Sequence, residues 1–156
     1  MSLINEAKAG ELKRVTELIQ QGAEKDKGDS DGQTPFLWAA YGGHLDVIKY
    51  LVGQGADINK ETTWNTTPIS TAAANGHYET VRYLIEIGSD RNTAMNDGNT
   101  PLHRAANMGH LEVVRLLMKH GVNCEVKNSY GDTPIDVAFN EEIKQAIRDE
   151  ITRRKS

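Results

Sequence analysis

A 33-residue interval runs through this chain without a slip. Thr-Pro stands at Thr34-Pro35, Thr67-Pro68, Thr100-Pro101 and Thr133-Pro134, and Gly-His stands at Gly43-His44, Gly76-His77 and Gly109-His110. A third series, Gly22, Gly55, Gly88 and Gly121, keeps the same interval. Three independent markers sharing one period define a repeat array, whose core forms by stacking one unit on the next.

Each marker has a physical reading. Threonine caps a helix N-terminus through its hydroxyl, and proline suits the first helical position, where its missing N–H removes no bond. Every Thr-Pro therefore predicts a helix start. The pairs Ala39-Ala40, Ala72-Ala73 and Ala105-Ala106 give that helix a small face where its neighbours can approach closely. Gly43, Gly76 and Gly109 then end it in the left-handed conformation glycine tolerates. A second helix follows on helical apolar spacing, with Leu45, Ile48, Leu51 and Val52 in one unit, Val81, Leu84 and Ile85 in the next, and Val114, Leu117 and Met118 after that. Gly55, Gly88 and Gly121 end it, and an extended loop with a tight turn leads to the next Thr-Pro.

These residues match a known pattern. Thr100-Pro101-Leu102-His103-Arg104-Ala105-Ala106, followed by Gly109-His110-Leu111-Glu112-Val113-Val114, resembles the ankyrin repeat signature, and the period is that family's. The resemblance covers nearly the whole chain. It implies an all-α ankyrin-repeat solenoid of stacked helix-turn-helix units with turn-tipped, hairpin-like loops, some ten short helices in all. The expected division is a single domain, 1–156. It comprises an N-terminal capping repeat at 1–28, full repeats at 29–61, 62–94 and 95–127, and a C-terminal capping repeat at 128–156.

The departures carry information. The first unit lacks Thr-Pro but keeps Ala9-Gly10-Glu11-Leu12 and Leu18-Ile19 in register. Asn65 stands where Gly32, Gly98 and Gly131 stand in the other turns, and asparagine tolerates positive φ, so the turn is expected to survive. The last unit lacks Gly-His and is shortened by about three residues before Ile143. Its ending, Arg153-Arg154-Lys155, puts cations at the end of a helix, where they favour its dipole.

Several classes of chemistry fall away. The net charge of −4 gives no general basic footprint, so nucleic-acid binding is not expected. No apolar run approaches the ~20 residues of a membrane helix, and the N-terminus has no signal-peptide pattern. The one cysteine, Cys124, cannot pair within the chain and fits a reducing compartment, so an intracellular address, cytoplasmic or nuclear, is expected. Glu125 beside it disfavours a reactive thiolate. His44, His77 and His110 occupy one repeat position and are expected to close the turn between helices by hydrogen bonding. They stand too far apart for a metal site. His103 reads as structural. Glu141-Glu142 and Asp149-Glu150 are adjacent on a helix and do not face each other, so they read as solvated surface rather than an acid–base pair. No phosphate loop, nucleophile elbow or zinc-binding helix is present. A non-catalytic protein without cofactor or metal is expected.

What remains is surface. The resemblance implies a concave face made by the turn tips and the first helix of each pair. The register places Asp31, Gln33, Trp64, Thr66, Asp97, Asn99 and Tyr130 on the tips, and Trp38, Tyr41, Thr71, Asn75, Arg104 and Met108 on the inner helices. Tryptophan, tyrosine, arginine and methionine are the types enriched in interface cores. The expected function is a protein–protein interaction module, an adaptor, inhibitor or scaffold, anchored by Trp64, Trp38, Tyr41 and Tyr130, with Arg104 pairing an acidic group. Trp38 packed on Tyr41 and Trp64 shielding its turn are the structural alternatives. A self-associating, architectural unit is the other class, and the chain alone is expected to be monomeric. Tyr50 and Tyr83 share a second-helix position in the apolar register and read as packing residues, whereas Tyr78 reads as exposed. Asn59 and Asn92 resemble asparagines hydroxylated in some ankyrin proteins, and by their own position read as turn-stabilising residues.

Overall fold

A computed structural model describes residues 2–156; residue 1, the first of the N-terminal unit, lies outside them. The helices are α1 (Leu3–Ala9), α2 (Leu12–Gln20), α3 (Pro35–Gly42), α4 (Leu45–Gly53), α5 (Pro68–Ala74), α6 (Tyr78–Glu86), α7 (Pro101–Asn107), α8 (Leu111–Lys119), α9 (Pro134–Val137) and α10 (Glu141–Lys155). No strand occurs among the described residues. The odd-numbered helices pack α1 on α3 on α5 on α7 on α9, and the even-numbered helices form a second layer, with α2 on α4, α6 on α8 and α8 on α10, and with Lys49 of α4 over the Tyr83 ring of α6. The protein is an all-α solenoid.

The Thr-Pro positions do what their chemistry predicts. The hydroxyl of Thr34 accepts from the Leu37 N–H at 3.2 Å. Thr67, Thr100 and Thr133 form reciprocal capping boxes with Ser70, His103 and Asp136. The alanine pairs are fully buried between the odd-numbered helices. Asn65 takes the left-handed conformation, φ 60°, in place of the turn glycine. Tyr50 and Tyr83 are half-buried against the core, and Tyr78 is exposed.

The units also pair through their loop tips. The Thr63 N–H donates to the Asp31 carbonyl at 3.1 Å, Asn96 to Trp64 at 3.0 Å, and Ser129 to Asp97 at 2.9 Å. Successive tips are thus tied by one backbone bond each, which fixes the spacing of the side chains they carry.

Two expectations are corrected and one is extended. His44 and His77 bond beyond their own turn. His44 Nε2 lies 3.0 Å from the carbonyl of Lys8, and His77 Nε2 lies 2.8 Å from that of Tyr41, each in the preceding helix pair. A carbonyl left open at the end of one helix is therefore satisfied by the next unit. Arg154 stands in the last turn of its own helix, as expected, and also reaches another. Its Nη1 and Nη2 donate to the carbonyls of Val122 and Met118, at 2.7 and 2.9 Å, and so cap α8. Glu150 is not solvated surface: it is clamped by Arg153 and Arg154. Hydrogen bonds from those guanidinium groups hold its carboxyl at about 2, well below its ordinary 4.5.

Candidate partner-binding surface

The residues assigned to the tips and inner helices separate into three groups once their contacts are drawn. Asp31, Trp64, Asp97 and Tyr130 occupy one register position on four successive tips. Their backbones are fixed by the tip bonds and by side chains of the turn, such as Asn128 Oδ1, which accepts from the Tyr130 N–H at 2.9 Å. Trp64 is 58 % exposed and Tyr130 79 % exposed, and among the described residues neither ring stacks on another ring or a cation. The turn beneath Trp64 is closed by backbone and by Thr62 Oγ1, which accepts from the N–H groups of Trp64 and Thr66 at 3.1 and 3.2 Å. The indole is therefore not what holds that turn together.

Trp38 is different. Its indole N–H donates to Asp29 Oδ2 at 3.1 Å, the Lys8 ammonium sits 4.3 Å over its ring, and Tyr41 meets it edge-on with ring centres 5.5 Å apart. Asp29 also accepts from the N–H groups of Asp31 and Gln33, both at 3.0 Å. Burial pushes the Asp29 carboxyl up, but bonds from Gln33, Trp38 and Asp31, with the Lys8 charge, outweigh it and hold it below its ordinary value. Trp38 is half-buried in this cluster. It ties α1 to α3, whereas Tyr41, half exposed, presents its other edge to solvent.

The third group is polar. Gln33, Tyr41, Thr66, Thr71, Asn75 and Arg104, drawn from three successive units, line one recess of about 210 Å³. Asn75 is anchored by its Nδ2, which donates to the Tyr41 carbonyl at 3.1 Å. Thr71 is buried rather than displayed. Arg104 also borders a smaller recess of about 170 Å³ with Asn99, Tyr130 and Asp132. Asn99 in its lining donates its backbone and side-chain N–H groups to Asp97, and Asn99 Oδ1 accepts from Asn128 at 2.9 Å. Met108, at the C-terminal end of α7, is exposed and joins neither recess.

Two residues went unmarked in the sequence. Met95 meets the Arg104 guanidinium through its sulfur, with Nη1 at 3.1 Å. Phe139, 71 % exposed, places its backbone N–H on the Ala106 carbonyl at 2.9 Å. No marker pointed to Phe139, because it stands outside the 33-residue register.

The remaining candidates have other surroundings. His103 is buried. Its Nδ1 accepts from the Thr100 N–H at 3.2 Å, so the proton sits on Nε2, which donates to the Asp132 carbonyl at 2.9 Å. Burial, ahead of the opposing Arg154 charge, pushes the Cys124 thiol up, which disfavours the thiolate. Asn59 Oδ1 accepts from the Asp90 N–H at 3.2 Å, so it bridges two loops, whereas Asn92 donates its own N–H to Asp90. Among the described residues no three His, Cys, Asp or Glu side chains gather as metal ligands, and no helix is long and apolar enough to cross a membrane.

Comparison with known proteins agrees with this architecture. Family models described as ankyrin repeats match residues 3–95, as three copies, and residues 88–138, as many copies. No curated protein matches the chain. Ankyrin repeats are in general protein–protein interaction modules rather than catalysts. The 33-residue period, the two helical layers and the matched residues together place the chain in the ankyrin repeat family.

Proposed function

We propose that this chain is a single ankyrin-repeat domain, with full repeats at 29–61, 62–94 and 95–127 between capping units 1–28 and 128–156. It works as a non-catalytic protein-binding module, monomeric on its own, and grips a partner protein through the face formed by the loop tips and odd-numbered helices. The observation that carries this reading is the pair Trp64 and Tyr130. Both are large, exposed and without a ring partner, and they stand two repeats apart on one edge. Exposed aromatics on a rigid frame lose little entropy on binding and are typical anchors. The lone buried thiol of Cys124 supports a reducing, cytoplasmic or nuclear setting.

A paired capture experiment tests the reading, with wild-type protein and the Trp64→Ala, Tyr130→Ala double variant as baits of equal melting temperature. A partner held by the first and lost by the second supports it, with about 2 kcal/mol or more expected from each ring. The same partners on both baits reject these anchors. Mass that rises with concentration in light scattering, and falls in the double variant, assigns the face to self-association instead.

A further inference from the structure

The recess around Arg104 differs in chemistry from the aromatic edge beside it. Its lining is one cation and five neutral hydrogen-bonding side chains, with no carboxylate among them. That is unexpected in a chain of net charge −4. Among the described residues Arg104 forms no ion pair, and its guanidinium makes one hydrogen bond, to the weak acceptor Met95 Sδ. A guanidinium has five donors, so most of this fork is unused. Asp132 lies on the opposite flank, in the smaller recess.

A second observation points the same way. Thr71 is only 6 % exposed, yet its hydroxyl has no hydrogen-bond partner among the described residues. It is not among the fully occluded unpartnered polar atoms, so the hydroxyl still reaches the recess its side chain lines. A nearly buried hydroxyl left unbonded is unfavourable unless something outside the chain satisfies it. Gln33, Thr66 and the Tyr41 hydroxyl also make no side-chain hydrogen bond within the protein.

We propose that this recess receives the carboxylate side chain of a glutamate or aspartate from the bound partner, held by Arg104 as a charge-assisted pair and by the Thr71 hydroxyl. The proposal rests on the reading of this face as the partner-binding surface. A guanidinium fork matches a carboxylate in two parallel bonds. One cation favours a singly charged carboxylate over a phosphorylated residue, which carries nearly two charges and is usually met by clustered arginines.

The test is an NMR titration of the labelled full chain with the blocked tripeptide Ac-Gly-Glu-Gly-NH2, with its Gln counterpart and with inorganic phosphate, all at constant ionic strength. The Glu peptide is expected to shift the Arg104 guanidinium and the amides of Gln33, Thr66, Thr71 and Asn75 to saturation, and the Gln peptide is not. Arg104→Gln should weaken the response at least about tenfold, and Thr71→Val, which keeps the shape, several-fold. Both variants are first matched to wild type in melting. No saturable shift with the Glu peptide, an unchanged response in Arg104→Gln, or a preference for phosphate overturns the proposal. The outcome is separable from that of the capture experiment. A failed titration with capture still lost in the Trp64 and Tyr130 variant rejects the recess alone. A successful titration with capture unchanged rejects the aromatic anchors alone.

Discussion

The ring of Phe139 lies against Gly109: a methyl group added to that glycine would stand 3.2 Å from the ring. One unit earlier the His110 imidazole covers Gly76, before that His77 covers Gly43, and His44 covers Gly10. Phe139 thus fills, in the last unit, the place that histidine fills in the others, although the shortened segment shifts it out of the 33-residue register. The flat ring and the bare glycine are two halves of one contact, which joins each helix pair to the pair before it.

This contact separates two glycines that look alike in sequence. Gly43 has φ +67° and a Cβ there would come within 2.5 Å of the His77 ring, whereas Gly88 has φ +93° and open space. Gly88→Ala should lower stability by about 1 kcal/mol, the conformational cost alone. Gly43→Ala should cost about 3 kcal/mol, because the ring and its bond to Tyr41 are displaced as well. Urea unfolding of the two variants measures the difference, and equal losses would refute the stacking role.

Ser89 presents the opposite case. Its hydroxyl is buried with no hydrogen-bond partner, and the same repeat position holds Ala23, Ala56 and Val122. Ser89→Ala should therefore stabilise the protein by about 1 kcal/mol, since an unsatisfied buried donor is removed. A lower denaturation midpoint in this variant would contradict the assignment.

The two tryptophans should behave in opposite ways. Trp38→Ala breaks the bond to Asp29 and the stack with Lys8 and Tyr41, and should cost about 2 kcal/mol. Trp64→Ala should change stability by less than about 0.5 kcal/mol. Thermal melts of both, run side by side, decide this.

Glu150 makes the C-terminal clamp sensitive to acid. Its folded pKa of about 2 lies below the ordinary 4.5. A depressed carboxylate contributes stability that is complete above the unfolded value and is lost as pH falls through the folded one. The melting difference between wild type and Glu150→Gln should be about 2–4 °C at neutral pH, hold down to about 4.5, and vanish towards 2. A difference that persisted unchanged at the acid end would mean the clamp is not electrostatic.

Much of the frame was legible because each marker acts locally. A threonine hydroxyl caps the helix that starts beside it, and Asn65 adopts positive φ within its own turn. Gln33 and Thr66, assigned to the tips, and Tyr41, Thr71, Asn75 and Arg104, assigned to the inner helices, line one recess. What the register missed depends on the neighbouring unit. His77 was assigned to its own turn, but its acceptor is Tyr41, 36 residues earlier. Arg154 was assigned to its own helix, but it reaches Met118, also 36 residues earlier.

The period by itself determined the fold class, the helix starts and stops, and which positions fall in the outward register, because backbone geometry and capping are set by a few adjacent residues. Tertiary structure decided which of those outward positions are already occupied. Trp38 and Trp64 are the same residue type on the same face. Stacking brings Lys8 of the preceding unit over the Trp38 ring, beside Asp29 of its own unit, and among the described residues brings no cation or ring onto Trp64; only the packed array creates that difference.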